Sequence, residues 1–415
     1  MMHTMKKRTC LNLSEVLIKG VETAEEQEAV NELITKVHCT DYFSQRMRLD
    51  AFLANYPEYL REHTRFATVN GQVVSCLCVF THTVRIGEAR MRLGGIGYVT
   101  TAGPWRKKGY AALLMDDAMR YMKMRGYHLS MLFGIADFYH RWGFASVLPD
   151  YASVITLGEA DRASGHCVKE RRMKPGDIPA VLGMHNRGDA ETSCSIIRSA
   201  AHFNNRWDQW KEARTLTDAN GKVVASFLGR IAGEEYLIEE LNAVDKAFYP
   251  AILHACLIRA RNEYASRMRF SIPPSYPFTS FLRQYRTDHE MHIYRNSNGM
   301  LAAVNIEEIL ECMTAEWECL LSASSMKDMA AVVTLVIDNI PYRIRSHHGM
   351  IDILPCPGEN KLSISSSEFV QLLTGYRYLE EIVSSKRRVI RAPAKSLLEI
   401  LFPKRTPYVW PLDRF

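Results

Sequence analysis

Apolar residues recur along this chain with two periods, and the points where the period changes mark its elements. In residues 22–37, Val30, Leu33, Ile34 and Val37 fall at helical spacing, which predicts an amphipathic helix. Residues 65–69 and 73–84 read as the strands of a hairpin, because Asn70-Gly71 supplies the positive backbone angles of a tight turn. Residues 91–101 read as a further strand. Its Gly94, Gly95 and Gly97 cost stability and point to a close approach by something to the backbone. A loop follows at 104–109, then a helix to about Arg125. Ala111, Leu114, Met115, Ala118 and Met122 form its apolar face, and Asp116, Asp117, Arg120 and Lys123 its polar face. Gly126 ends the helix, with Lys123 and Arg125 in the last turn, where the helix dipole favours cations. Residues 127–134 complete a βαβ unit.

A weaker copy of that order follows. Residues 222–231 and 236–241 read as strands around Ala232-Gly233, residues 250–264 as a helix and 268–272 as a strand, with no basic glycine loop before the helix. From about Leu301 the character changes again. Strands are expected at 330–337, 342–345 and 361–364, and helices at 367–374, 379–384 and 394–401, as in a compact α+β domain.

The chain has 415 residues, 47% hydrophobic and 24% charged. At about 150 residues per domain that is room for two or three domains, and the composition excludes disorder, collagen-like repeats or coiled coil for its bulk. Basic residues exceed acidic ones by 52 − 46 = 6, too mild an excess to indicate nucleic acid. The clearest apolar run, 330–337, has strand length, far below the roughly 20 residues of a spanning helix. Lys6, Lys7 and Arg8 lead into no signal-peptide core. A cytoplasmic protein without a membrane span is expected. Ten cysteines are scattered without a Cys-x-x-Cys pair, which suits reduced thiols better than a metal or disulfide framework. His289-x-x-His292 and His347-His348 lack the accompanying ligands of a zinc site, so no metal is expected.

The sharpest chemical signal is Arg106-Lys107-Lys108-Gly109-Tyr110-Ala111 at a helix start. Unpaired N–H groups and the dipole make that end of a helix attractive to anions. Gly109 lets the backbone come close, and three cations add counter-charge. Such a loop is either a pyrophosphate cradle or a solvated basic turn. Neither the P-loop spacing nor a dinucleotide fingerprint is present, and no Gly-x-Ser-x-Gly elbow supports a hydrolase.

Val99-Thr100-Thr101 followed by that loop resembles the acetyl-CoA signature of the GNAT acetyltransferases, Gln/Arg-x-x-Gly-x-Gly/Ala. Phe138-Tyr139-His140-Arg141-Trp142-Gly143-Phe144 is similar to the family's later Tyr-x-x-x-Gly-Phe element. The whole chain, through its degenerate repeat and its ending Trp410-Pro411-Leu412-Asp413-Arg414-Phe415, resembles the Eis (enhanced intracellular survival) type. The resemblance implies a mixed α/β (α+β) protein. Residues 1–155 would be a catalytic GNAT domain and 156–298 a GNAT-like domain without the cofactor motif. Residues 299–415 would be a sterol-carrier-like domain supplying the C-terminal carboxylate.

The resemblance further implies acetyl transfer from acetyl-CoA to a primary amine of a small polyamine such as an aminoglycoside. Val99, Thr100, Thr101, Arg106, Lys107, Lys108, Gly109, Tyr110, Ala111, Ala112, Gly134 and Ile135 would contact the cofactor. Tyr139 would be the proton donor to the leaving thiolate, and the carboxylate of Phe415 the proton acceptor. A homo-oligomer, a hexamer in that type, is also implied. The motif segments themselves offer only His140 as a side-chain base. A catalytically quiet CoA- or lipid-binding protein is the competing reading.

Overall fold

A computed structural model of the chain describes residues 16–38, 41–163, 168–385 and 390–415. Lys6, Lys7, Arg8, Cys10, Cys39, Cys167 and the basic stretch Lys386-Arg387-Arg388 lie outside the described residues. The fold is mixed α/β and is organised by three sheets.

The first sheet is built from β1 (Val16–Gly20), β2 (Thr64–Val69), β3 (Gln72–Ile86), β4 (Ala89–Thr101), β5 (Leu129–Gly134) and β6 (Ala145–Leu148). The second takes β7 (Asp150–Thr156), β8 (Lys169–Arg172), β10 (Arg214–Thr217), β11 (Val223–Ala232), β12 (Glu235–Ala243), β13 (Arg267–Phe270) and β14 (Thr287–His292), while short β9 (Ile196–Ile197) pairs with β3. β15 (Asn298–Ala303) returns to the first sheet, whose order is β1-β2-β3-β4-β5-β15-β6, and the second sheet runs β14-β7-β13-β12-β11-β10-β8. The two halves therefore exchange strands: β7 lies between β13 and β14, and β15 between β5 and β6. Linear boundaries at 155/156 and 298/299 do not follow this sheet membership. Each exchanged strand satisfies the backbone groups that the β5–β6 and β13–β14 edges would otherwise leave unpaired.

Helix α1 (Ala24–His38) forms where the helical period predicts it. Together with α2 (Tyr42–Ala54), it buries Val30, Leu33, Ile34, Leu49 and Leu53 against Cys76, Cys78 and Phe80 on one face of the first sheet. The opposite face receives α3 (Tyr110–Met124), whose Leu114, Met115, Ala118 and Met122 pack on Leu77, Val79, Ile96 and Leu132. At about 1.5–3 kcal/mol per large buried apolar side chain, this stripe fixes α3 to the sheet. The polar face of α3 is less exposed than its sequence suggests: Asp117 is half-buried and pairs with Arg65 at 2.6 Å.

The second half contains α4 (Leu157–Ala160), α5 (Ile178–Gly188), α6 (Ala200–Asn205), α7 (Trp207–Trp210), α8 (Tyr249–Asn262) and α9 (Pro277–Leu282). α8 packs on the second sheet as α3 does on the first. The third unit holds β16 (Ala331–Ile337), β17 (Ile340–His347), β18 (Met350–Leu354) and β19 (Lys361–Ile364), ordered β18-β17-β16-β19. Its helices are α10 (Ile306–Ser322), α11 (Ser366–Leu373), α12 (Leu379–Ser385) and α13 (Ala394–Leu401). Its core is continuous with Met91, Leu93, Leu129 and Met131 of the first sheet. No helix among the described residues is long and apolar enough to cross a membrane.

Candidate active site

β4 and β5 run parallel but pair only from Leu93↔Leu129 to Gly95↔Met131, after which both continue without pairing to each other. The two strands fork. A bulge in β4 helps to open the fork: Cys76 faces Thr100 and Cys78 faces Gly97, so Tyr98 and Val99 together oppose the single Leu77. Tyr98 takes a positive φ of 50° there, and bulges of this kind re-aim a strand.

The glycines lining the fork have steric reasons. A Cβ on Gly94 would lie 2.3 Å from the Met122 sulfur, and one on Gly134 would lie 2.3 Å from the Tyr139 ring. A Cβ on Gly95 would lie 2.5 Å from the Phe415 ring.

Below the fork, Gly109 caps α3 with a left-handed φ of 95°, a conformation that favours glycine. Arg106, Lys107 and Lys108 are exposed around it. Arg106 donates to the Thr101 carbonyl at 3.1 Å, and Lys108 lies over the Trp105 ring at 4.6 Å. None of the three forms an ion pair among the described residues, so their charge and the positive end of a fifteen-residue helix face solvent together. Tyr110 is buried, Ala111 and Ala112 are half-buried at the helix start, and Ile135 is exposed beyond the end of β5.

Tyr139 begins a short helical turn, Tyr139–Trp142, that Trp142 ties to α3 by donating to Asp116 at 2.6 Å. Its ring meets Phe138 edge-on at 4.9 Å and packs in the α3-side core. Burial raises its phenol above the ordinary tyrosine value, so it stays protonated. His140 beside it is exposed.

Phe415 arrives on the opposite face. Its ring stacks on His82 at 5.3 Å and 22° and meets Phe133 edge-on at 6.1 Å. The carboxyl carbon is 3.3 Å from where a Gly97 Cβ would be. Alternation along the strands explains the geometry. Gly95, Gly97 and Phe133 point to the Phe415 face, while Gly94, Leu132 and Gly134 point to the α3 face. Tyr139 and the Phe415 carboxyl thus flank one fork from its two sides.

The path to that position is pinned throughout. Tyr408, Val409 and Trp410 are buried in the protein. The Tyr408 N–H donates to the Ser193 carbonyl at 2.8 Å and its hydroxyl to the Ser271 carbonyl, and the Trp410 indole donates to Asp189 at 2.8 Å. Buried Arg198 bridges Asp413, at 2.7 and 2.9 Å, and Glu240, at 2.7 Å to each oxygen. Opposed mainly by burial, Arg198 and the His185 bond pull the Glu240 carboxyl down to about 2. Arg414 pairs with Asp150 at 2.6 Å and lies over Phe133.

A cavity of about 1290 Å³ opens above Phe415 between α1 and α2 on one side and α6 and α7 on the other. Tyr98, Phe80 and His38 also line it. His38 has no motif to announce it, being a single histidine at the end of an amphipathic helix, so sequence reasoning missed it. Its Nε2 lies 2.8 Å from the Thr100 hydroxyl, which donates to the carbonyl of Tyr98 in the bulge. Burial, helped by Arg106, lowers its pKa and keeps the ring neutral. The histidine pairs singled out in the sequence are elsewhere: on β14, His289 contacts Ser153 and His292 contacts Glu290, and His347 at the end of β17 contacts Asp352 at 3.5 Å. Among the described residues, no group of three or more potential ligands gathers as a metal would need.

The forked strand pair and the glycine-capped helix start lie within a segment that known proteins share. Residues 23–147 match the family model described as an acetyltransferase (GNAT) domain. The solved structures agree on the fold over nearly the whole chain. A conserved protein of unknown function from Enterococcus faecalis, described as a probable N-acyltransferase, superposes with a TM-score of 0.77 at 15% identity, covering 96% of this chain and all (100%) of that one. The GCN5-related N-acetyltransferase from Kribbella flavida gives 0.73 at 16% identity, over 97% and 100%. Eis1 from Mycobacterium abscessus gives 0.66 at 13% identity, over 96% and 100%. No curated protein matches the chain.

Proposed function

We propose that this protein is an acetyl-CoA-dependent N-acetyltransferase that acetylates a primary amine. The observation that carries the reading is the open fork: a strand pair that separates beyond Gly95, with a basic glycine-capped helix start below it and Tyr139 and the Phe415 carboxyl on its two sides. Backbone groups of β4 and β5 left without each other are suited to the amides of a pantetheine arm. The N-terminus of α3, with Arg106, Lys107, Lys108 and Gly109, would take the pyrophosphate. Val99, Thr100, Thr101, Tyr110, Ala111, Ala112, Gly134 and Ile135 line that course. The amine nitrogen attacks the thioester carbonyl and the carbon–sulfur bond breaks. The amine proton passes to the Phe415 carboxylate, and Tyr139 gives its proton to the leaving thiolate.

His38 is the second reading for the proton acceptor, favoured by its neutral ring at the cavity wall. The C-terminal unit, read as sterol-carrier-like, would turn the chain back so that its end reaches the fork, and the assembly is expected to be a homo-oligomer, as in the hexameric Eis type. The resemblance implies a small polyamine acceptor; the charge of the cavity supports a different class, argued below.

Titration calorimetry tests the reading. One acetyl-CoA should bind per chain, and Gly109→Val should abolish binding, because a branched side chain is strained at that φ and fills the approach to the helix start. No binding, or two sites per chain, would overturn it.

A further inference from the structure

The cavity above Phe415 carries an unexpected charge. Its cationic lining is Arg48 on α2, Arg206 between α6 and α7, Lys211 and Arg414; among the described residues that line it, the only acidic side chain is Asp208. Two of the cations are already neutralised, Lys211 by Asp208 at 3.5 Å and Arg414 by Asp150 at 2.6 Å. Arg48 has no ion pair among the described residues. Arg206 has no carboxylate partner there either. It donates to the main-chain carbonyls of Leu412 and Arg414 and lies over Phe52 at 5.7 Å. Two unneutralised guanidiniums, one from each wall, therefore outweigh the single Phe415 carboxylate. A polycationic amine would meet like charge on both sides, whereas an oxyanion would find the free fork of Arg48 and the donors that Arg206 does not spend on main-chain carbonyls.

We infer that the acceptor is a primary amine carrying an oxyanion, a carboxylate or a phosphate, held by Arg48 and Arg206 while the amine points to the Phe415 carboxyl. This rests on the acetyltransferase reading of the same site. The amine and the oxyanion then sit against opposite charges, which also fixes which end of the molecule is acetylated. The cavity volume exceeds the roughly 300–1,000 Å³ of common ligand pockets, so a large acceptor would be accommodated.

The test compares CoA thiol release with 6-aminohexanoate, its methyl ester, butylamine, 3-aminopropyl phosphate, spermidine and kanamycin, for the wild type and Arg48→Gln. The oxyanion amines should exceed the ester and spermidine in kcat/KM by about tenfold or more, the order expected for one charge-assisted pair. Arg48→Gln should reduce kcat/KM about tenfold more for 6-aminohexanoate than for butylamine, chiefly through KM. The relative response to the phosphate and the carboxylate distinguishes the two oxyanions. Spermidine or kanamycin as the best acceptor, or an Arg48→Gln variant with unaltered preference, overturns the inference. Calorimetry with 6-acetamidohexanoate, which needs no turnover, separates the two claims. Binding by the wild type that weakens in Arg48→Gln, with no thiol release from any amine, keeps the oxyanion site and rejects acetyl transfer. Absence of that binding rejects the site.

Discussion

The molecule contains the same strand–helix–strand arrangement twice, and the two copies use the space between their parallel strands in opposite ways. In the first, β4 and β5 part beyond Gly95, and Gly97 and Gly134 stand on the parted stretches without side chains. In the second, β12 and β13 pair from Glu235↔Arg267 to Ile238↔Phe270, and the space beyond is filled by aromatic side chains. Tyr276 donates to the Leu241 carbonyl at 3.0 Å, Tyr408 to the Ser271 carbonyl, and Trp410 packs edge-on against both rings. The helix starts differ in the same sense. At α3, a left-handed glycine and three unpaired cations leave the N–H groups open to an anion. Ahead of α8, the Asp245 side chain already accepts from the Ala247 N–H at 2.7 Å, so a carboxylate of the chain itself occupies the positive end. The second fork anchors the tail that ends beside the first.

The largest expected effects test the chemistry proposed for the first fork while leaving the proposed cofactor cradle alone. Appending three glycines after Phe415 moves the carboxylate away and keeps the ring. Tyr139→Phe removes a hydroxyl and keeps the packing. Each should lower kcat by on the order of 10²–10⁴ with little change in acetyl-CoA affinity. His38→Ala, compared with the extended chain, assigns the proton acceptor: the larger loss marks the group that does the work. Tyr276→Phe is the matched change in the second fork and should leave kcat intact, costing only about 1 kcal/mol for its hydrogen bond. Because the Tyr139 phenol is raised above its ordinary value, the alkaline loss of activity should lie above about pH 10 and vanish in Tyr139→Phe. Undiminished kcat in the extended chain would remove Phe415 from the chemistry.

A smaller effect follows for the anchor. Arg198→Met leaves Asp413 and Glu240 buried without their cation and should destabilise the protein by about 3–5 kcal/mol, measured by urea unfolding. Loosening the tail should also lower turnover. The pH dependence has a definite sign. Glu240 is lowered from 4.5 to about 2 in the folded protein. Its contribution is therefore fully present above about pH 4.5 and lost as the pH falls through about 2. Glu240→Gln should flatten that acid dependence, and a variant with the wild-type acid profile would show that other carboxylates carry it.

The contrast between the forks also explains what could be read in the sequence. The hairpin at Asn70-Gly71, the amphipathic α1 and α3, the strand–helix–strand of the second half and the late strands 331–337 and 361–364 are all local signals, and they appear within a few residues of expectation. The strand exchange is not local: nothing in the residues of β7 and β15 says which sheet they complete. Helix α10 also went unread, although its first turn carries Glu307 and Glu308 and its buried face Ile309, Leu310, Met313 and Trp317. Gly94, Gly95 and Gly97 announced a close approach, and the structure identifies Met122, Phe80 and Phe415 as what approaches. His38 and the uncompensated Arg48 and Arg206 were illegible because their meaning lies in what faces them across the cavity. The same is true of Asp117 on α3, whose partner Arg65 sits on β2.

The smallest expected effect separates the two reasons why the second copy would hold no cofactor. Either the Asp245 cap excludes the anion from the helix start, or the aromatic filling excludes the arm from the fork. Asp245→Ala removes the cap and leaves the filling. Replacing an N-cap aspartate by alanine costs about 1 kcal/mol, which should appear as a slightly lower urea midpoint. Acetyl-CoA stoichiometry should stay at one per chain, because Tyr276, Tyr408 and Trp410 still occupy the fork and are tied in by hydrogen bonds to Leu241, Ser271 and Asp189. A second site in the Asp245→Ala protein would mean that the helix start alone separates the two copies. An unchanged count of one assigns the difference to the filled fork, and therefore to the tail that fills it on its way to the first.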